Sequence, residues 1–451
     1  MSLPSARDTI AAIATAPGTG GVGIVRISGQ AVPDIARALL GRLPAARHAS
    51  FSRFRCADGS ALDQGLALYF PAPHSFTGEH VLELHGHGGP VVLDLVLQEV
   101  LAHGARTARP GEFSERAFLN GKLDLAQAEA VADLIESASA EAARAALRSL
   151  EGDFSQRVRA INEQVIQLRL HIEALLDFPE EGIEYPADKN LAVRTIQLTG
   201  QIDLLRAATR QGQLLHDGMT VVLAGPPNAG KSSLLNALSQ RESAIVSPIP
   251  GTTRDVVREC IQIDGLPLHV LDTAGLRDTD NVVESEGVRR AQEAMLRADR
   301  VLLVVDDCEE EGGSVRDMLL RMPDGTRITL VRNKIDRSGR APGKLTSRDV
   351  PEFAISAQHG DGLDILRQHL KECMGYQVAG EGAFSARRRH LDAIERARSH
   401  TELALAQLGA GRAELAAEEL RQVQQALGEI TGEFSSDDLL GRIFSSFCIG
   451  K

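Results

Sequence analysis

The stretch GPPNAGKSS, Gly225 to Ser233, sets glycine at its first and sixth positions and follows them with lysine and serine. That spacing suits phosphate. Glycines let backbone N–H groups turn toward phosphate oxygens, and the start of a following helix adds positive dipole. Within Asn228, Ala229, Gly230, Lys231, Ser232 and Ser233, the lysine neutralises outer phosphates and Ser232 offers its hydroxyl to magnesium. Downstream, DTAG (Asp272, Thr273, Ala274, Gly275) puts a carboxylate at a strand end, where it supports the metal. The Gly275 N–H is placed to sense a γ-phosphate. NKID (Asn333, Lys334, Ile335, Asp336) names the base. The Asp336 carboxylate can accept two donors from the edge of guanine, which adenine cannot match, while Asn333 and Lys334 frame the ring. SAQ (Ser356, Ala357, Gln358) follows a short strand and suits a backbone contact to the base. Each motif alone is an ordinary loop; together, in this order, they specify a GTP-binding unit.

The hydrolytic apparatus is less plain. Leu276 follows DTAG where Ras-like proteins carry the glutamine that orients the attacking water, and leucine has no atom for that task. Glu284, in LRDTDNVVESEG, is a candidate, set against the commoner state of a glutamate in solvent. Some cation must offset transition-state charge. Arg254 and Arg277 are candidates for it, although loop arginines usually face water.

A thiol, Cys448, stands in the terminal FCIGK. It has the length of a prenylation box, but glycine and lysine occupy its last two positions and no polybasic stretch precedes it, so the lipid reading fails. A surface cysteine and a reactive thiol delivered by the tail remain. The tail is apolar (Ile443, Phe444, Phe447, Ile449) and follows the amphipathic FSSDDLLGRIF, so it should pack. Two other stretches mislead. GTGGVG, Gly18 to Gly23, fits a dinucleotide fingerprint but opens the alternating strand IVRIS rather than a helix. HGHGG offers His85 and His87 without a third ligand at metal spacing and reads as a glycine-rich turn.

The elements that must position these groups change texture along the chain. Residues 1–118 read as α+β, with strands GIVRIS and LALYF and a helix in VVLDLVLQEVLAHG. Residues 119–216 are rich in Ala, Leu, Glu, Arg and Gln at helical spacing. Residues 217–378 alternate strand and helix, a parallel α/β pattern, with one antiparallel hairpin expected at the Asp-Gly turn of IQIDGLPLHV. Helical texture returns over residues 379–451. The α/β unit therefore reads as inserted into a helical domain built from both flanks. Five scattered cysteines and the absence of a signal-like start lead us to expect the reducing cytoplasm, with no membrane. A net charge of -12 disfavours a large phosphate-binding surface, and RRRH (Arg387 to His390) is the obvious basic cluster.

PGTGGVGIVRISG, SFTGEHVLELHGHGG, RPGEFSERAFLNGKLDLAQAEAVADLI, GTTRD and FCIGK, with the G motifs, resemble one family across nearly the whole chain: the tRNA modification GTPases called MnmE or TrmE. The resemblance implies a multidomain fold: an N-terminal α+β folate-binding and dimerisation domain, and a helical domain carrying an inserted Ras-like α/β P-loop domain. It implies a homodimer that joins the flavoprotein MnmG (GidA) in a heterotetramer. Together they add an aminomethyl-type group to C5 of a tRNA wobble uridine, using a one-carbon unit from 5-formyl- or methylene-tetrahydrofolate. Folate contacts would fall on Arg26, Glu83, Lys122 and Lys451, and Cys448 would act at that site. The loop Ser247, Pro248, Ile249, Pro250, Gly251, Thr252, Thr253 would border GTP. Potassium would be held by Asn228, Ser247, Ile249 and Thr252, magnesium by Ser232 and Thr253, and the water by Glu284. A regulatory GTPase docking on the ribosome shares the G motifs but not the N-terminal and terminal stretches.

Overall fold

The computed structural model describes residues 8–177, 189–239, 258–272, 284–308, 313–320, 322–346, 350–375, 383–434 and 437–450. The chain divides into two compact units. One comprises residues 1–132, 150–198 and 399–451, the other residues 133–149 and 199–398.

The first unit begins with a six-stranded sheet. Its elements are β1 (Thr9–Ile13), β2 (Gly20–Ser28), α1 (Val32–Leu40), β3 (Ser50–Arg55), β4 (Ala61–Phe70), β5 (Val81–Gly88), α2 (Pro90–Ala102), β6 (Ala105–Thr107) and α3 (Glu112–Leu119). The sheet order is β3-β4-β5-β2-β1-β6, antiparallel except where β6 joins β1. Period-two alternation decides what faces the core. Val25 and Ile27 of β2, with Leu82 and Leu84 of β5, point into a core completed by Val32, Ile35 and Leu39 of α1 and Val96 and Val100 of α2. The residues between them, Arg26 and Glu83, are cross-strand partners on the other face. GTGGVG opens a strand and not a helix: Gly20 to Gly23 are the first residues of β2. HGHG differs from the expected turn: His85 to Gly88 extend β5. Asp63 of β4 holds this stretch, its carboxylate accepting the His87 backbone N–H at 2.8 Å and bonding the ring Nδ1 at 2.7 Å.

Helices follow: α4 (Leu125–Glu136), α5 (Ala140–Glu151), α6 (Asp153–Asp177) and α7 (Lys189–Asp217). The chain then enters a seven-stranded sheet. Its elements are β7 (Met219–Ala224), α8 (Lys231–Ser239), β8 (Arg258–Ile263), β9 (Leu266–Asp272), α9 (Glu284–Arg297), β10 (Arg300–Asp306), α10 (Gly313–Leu320), β11 (Ile328–Asn333), α11 (Ile335–Ser338), β12 (Gly343–Leu345), β13 (Glu352–Ala354) and α12 (Leu363–Met374). The order is β12-β13-β11-β10-β7-β9-β8, parallel inside, with the edge strands β8 and β12 antiparallel. The interior strands read as continuous apolar runs because both faces are covered: Val301 to Val304 are fully buried in two separate cores. The β8–β9 hairpin turns at Asp264 and Gly265, both at positive φ (49° and 82°), as a two-residue primed turn demands.

The last helices are α13 (Arg388–Gly409), α14 (Ala413–Thr431) and α15 (Asp437–Ser445). In the first unit α14 packs along α6, burying Leu420, Val423, Leu427 and Ile430 on one and Val158, Ile161, Val165, Leu168 and Ile172 on the other. Each such side chain contributes about 1.5–3 kcal/mol by leaving water. Among the described residues no helix is long and apolar enough to cross a membrane.

Candidate functional site

The nucleotide motifs gather where parallel strands end. The phosphate loop follows β7, Asn333 ends β11, and Ser356 lies just beyond β13. Ligands of open α/β sheets bind at this carboxyl edge. Within the loop Asn228 is left-handed (φ 62°) and Gly230 has φ 91°. A Cβ on Gly230 would collide with the Asn333 side-chain amide, so the loops close up only around glycine. Asn333 is buried, and its side chain is a tie: Nδ2 donates to the Ala229 carbonyl at 3.0 Å, and Oδ1 accepts the Ala357 N–H at 3.0 Å. One amide thus joins the phosphate loop, the base loop and SAQ.

Lys334 is left-handed (φ 67°), a strained state for a lysine, and its Nζ lies 2.7 Å from Asp306 Oδ2. Burial works to raise the Asp306 carboxyl, but the Lys334 ammonium and the Cys308 N–H outweigh it and hold it below the usual range. Asp336 is exposed. The Ser356 hydroxyl donates to its Oδ1 at 2.6 Å and keeps the carboxylate charged. Lys231 donates to the carbonyls of Gly225 (3.1 Å) and Pro226 (2.9 Å), which sets its ammonium over the loop. Ser232 and Ser233 are exposed in the first turn of α8; Ile335 is buried and Gln358 exposed.

Several expected residues lie outside the described ones: Ser247, Pro248, Ile249, Pro250, Gly251, Thr252, Thr253, Thr273, Ala274, Gly275, Leu276, Arg254, Arg277 and Lys451. Asp272 ends β9 and Glu284 opens α9, with their side chains also outside.

A second polar cluster occupies the first unit. Arg26 Nε donates to Glu83 Oε1 at 2.9 Å, and His85 Nε2 lies 3.2 Å from Glu83 Oε2. The guanidinium carbon is 5.8 Å from the ring centroids of both Phe76 and Phe113, within cation–π range. Arg26 Nη1 also donates to the Gly450 carbonyl at 3.3 Å, so the structure brings the C-terminal tail to Arg26, the partner of Glu83. Lys122 is exposed and donates to the Pro73 carbonyl at 3.1 Å, on the same loop that carries Phe76. Cys448 is exposed.

Two charge clusters carry no motif in the sequence. On α3, Glu112 accepts from Arg106, Arg116 and the Arg109 N–H, and Arg116 reaches Asp8 and Glu79. Burial would raise Glu112, yet these donors hold it down at about 2. The i,i+4 pairing of Glu112 with Arg116 was the available signal. In the second unit, Asp133 accepts from Ser385 (2.6 Å) and Arg387 (2.6 Å) and lies 3.1 Å from His216 Nε2, whose Nδ1 is 2.7 Å from Asp217. Burial works against a charged ring, but the two carboxylates lift His216 to about 9. RRRH is therefore not a free basic patch: Arg387 is paired with Asp133, and His390 is buried, accepting the Arg387 N–H.

A family model described as the MnmE helical domain matches residues 125–448, and one described as the GTP-binding protein TrmE N-terminus matches residues 9–122. A tRNA modification GTPase MnmE from Stutzerimonas stutzeri (strain A1501) is 58% identical over 452 residues, covering 99% of both chains. One from Pseudomonas entomophila (strain L48) is 59% identical over 456 residues, covering 100% of both. With the nucleotide loops tied together on one sheet edge, and similarity running from end to end, the chain belongs to the MnmE family of tRNA modification GTPases.

Proposed function

We propose that the chain is the GTP-hydrolysing subunit of a cytoplasmic enzyme that adds an aminomethyl or carboxymethylaminomethyl group to C5 of the tRNA wobble uridine. It works as a homodimer with the flavoprotein MnmG. The observation that carries the GTPase half is the Asn333 tie, which joins the phosphate loop to SAQ, while Asp336 three residues on is exposed and kept charged by the Ser356 hydroxyl. The division of labour we infer follows the chain: residues 1–118 for folate and dimerisation, 217–378 for GTP, and 119–216 with 379–451 as the helical frame.

In the nucleotide site Lys231 and the loop N–H groups bind phosphates, and Asp336 selects guanine. Ser232, Thr253 and Asp272 would hold magnesium; Asn228, Ser247, Ile249 and Thr252 would hold potassium, which supplies the positive charge that an arginine supplies elsewhere. Glu284 orients the attacking water. In the other site, Arg26 Nη2 has no partner among the described residues, and Phe76 offers a partly exposed ring. A free donor beside a flat apolar surface suits a folate, with Glu83, Lys122 and Lys451 completing the set. When bound, that group supplies the one-carbon unit, and Cys448 handles it at the tail.

Mass spectrometry of tRNA nucleosides tests this. A strain lacking the chain should accumulate wobble uridine without the C5 group, and the wild-type chain should restore it. Cys448→Ser should fail to restore it while still hydrolysing GTP. Normal nucleosides in the null strain would overturn the function; normal nucleosides with the serine variant would return Cys448 to a surface thiol.

A further inference from the structure

The tail is pinned on both sides of its thiol. Before it, Phe444 and Phe447 are buried beside Leu125 and Ala128, their rings edge-on at 5.4 Å. After it, the Gly450 carbonyl accepts from Arg26. Between the pins, Cys448 and Ile449 are exposed, and the Cys448 carbonyl accepts the Gly111 N–H at 3.3 Å. Gly450 has φ 94°, and a Cβ there would sit 2.5 Å from the Ile13 carbonyl oxygen, so this seat admits only glycine. Arg26 does not owe its aim to the tail. Glu83 holds Nε, and Phe76 and Phe113 flank the guanidinium. A planar fork fixed in this way presents Nη1 to the tail and Nη2 to something else.

We propose that Arg26 is a positioning residue for Cys448: a catch that holds the tail by the Gly450 carbonyl and tightens when a folate oxygen takes Nη2. A ligand and the tail then share one guanidinium, so each stabilises the other's seat, and the coupling is reciprocal. The purpose of the catch rests on the reading of Cys448 as acting at the folate site; its existence does not.

Hydrogen exchange of the peptide spanning residues 444–451, in the full-length chain, tests this with and without 5-formyl-tetrahydrofolate. Arg26→Gln should speed exchange of the tail amides about tenfold or more and abolish any slowing by the folate. Arg26→Lys should recover part of the protection. Gly450→Ala leaves the guanidinium untouched and should release the tail equally; it also serves if Arg26→Gln fails to fold. Wild-type tail exchange in both Arg26→Gln and Gly450→Ala would overturn the catch. Folate affinity, titrated separately, keeps the two readings apart. Tail release without folate binding in any form of the chain retains the catch and removes the folate reading; folate binding that leaves wild-type tail exchange unchanged overturns the proposed coupling.

Discussion

The nucleotide site and the tail site are assembled by different physics. The first is made of loops that each follow a strand of one sheet, joined through backbone carbonyls and N–H groups by a single buried amide, Asn333. The second is made of charged side chains and a tail drawn from opposite ends of the chain, Arg26 and Gly450. A backbone-built site needs particular residues at particular places, such as glycine at 230 against Asn333. The side-chain site needs complementary charge, Arg26 against Glu83, and one glycine seat at Gly450, brought together by folding. The first should therefore act as a self-contained machine, the second as one that depends on tertiary contacts.

The largest expected effect tests that self-containment. Replacing potassium by sodium should depress GTP turnover strongly with little change in nucleotide binding, and Glu284→Ala should slow turnover by about 10²-fold. Neither change should alter exchange in the tail peptide. Turnover equal in both salts and in the variant would break the nucleotide half of the comparison. Altered tail exchange would break the separation.

The same difference explains what was legible. The phosphate loop, NKID and SAQ could be read directly, because their chemistry is local: φ values, glycine positions and spacing are written in consecutive residues. The Asp-Gly hairpin was read for the same reason, and it forms at Asp264 and Gly265. Arg26 and Glu83 were placed by resemblance alone, because nothing within a few residues of Arg26 announces Gly450. HGHG reads as a turn in the sequence because its glycine content masks the strand rhythm of VLELHGHG, and the partner that holds it extended, Asp63, lies on another strand. The Asp133 cluster was hidden more deeply still. Its members come from α4, α7 and the residues before α13, and each alone looks like a surface charge.

A smaller effect sharpens the nucleotide half. Asp336→Asn keeps the shape and the Ser356 neighbour but turns an acceptor toward guanine's donors into a donor. GTP affinity should fall by about 2 kcal/mol or more, from unpaired polar groups. Xanthosine triphosphate should gain relative to GTP. Titration of both nucleotides against wild type and variant measures it, and unchanged GTP affinity would remove Asp336 from base selection.

The smallest effect concerns the carboxylate Asp133, which lies among the second unit's helices and ties together the end of α7 and the chain returning at Ser385. His216 stands between Asp133 and Asp217, with its pKa lifted from 6.5 to about 9. A group whose folded pKa is raised stabilises fully below its unfolded value and loses that contribution as pH rises through the folded one. Stability carried by His216 should thus be complete below about pH 6.5 and decline toward about pH 9, by about 1–2 kcal/mol given its partial exposure. His216→Gln should remove this slope and cost stability mainly at the acid end of that window. Urea unfolding of the two chains, followed across the window, gives the difference directly, since other titrations cancel. Exchange in the peptides around Leu215 and Phe384 should follow the same curve, while the tail peptide should not. A slope common to both peptides would mean that the side-chain-built cluster and the tail site share one unfolding unit, and the contrast between the two regions would have to be redrawn around that unit.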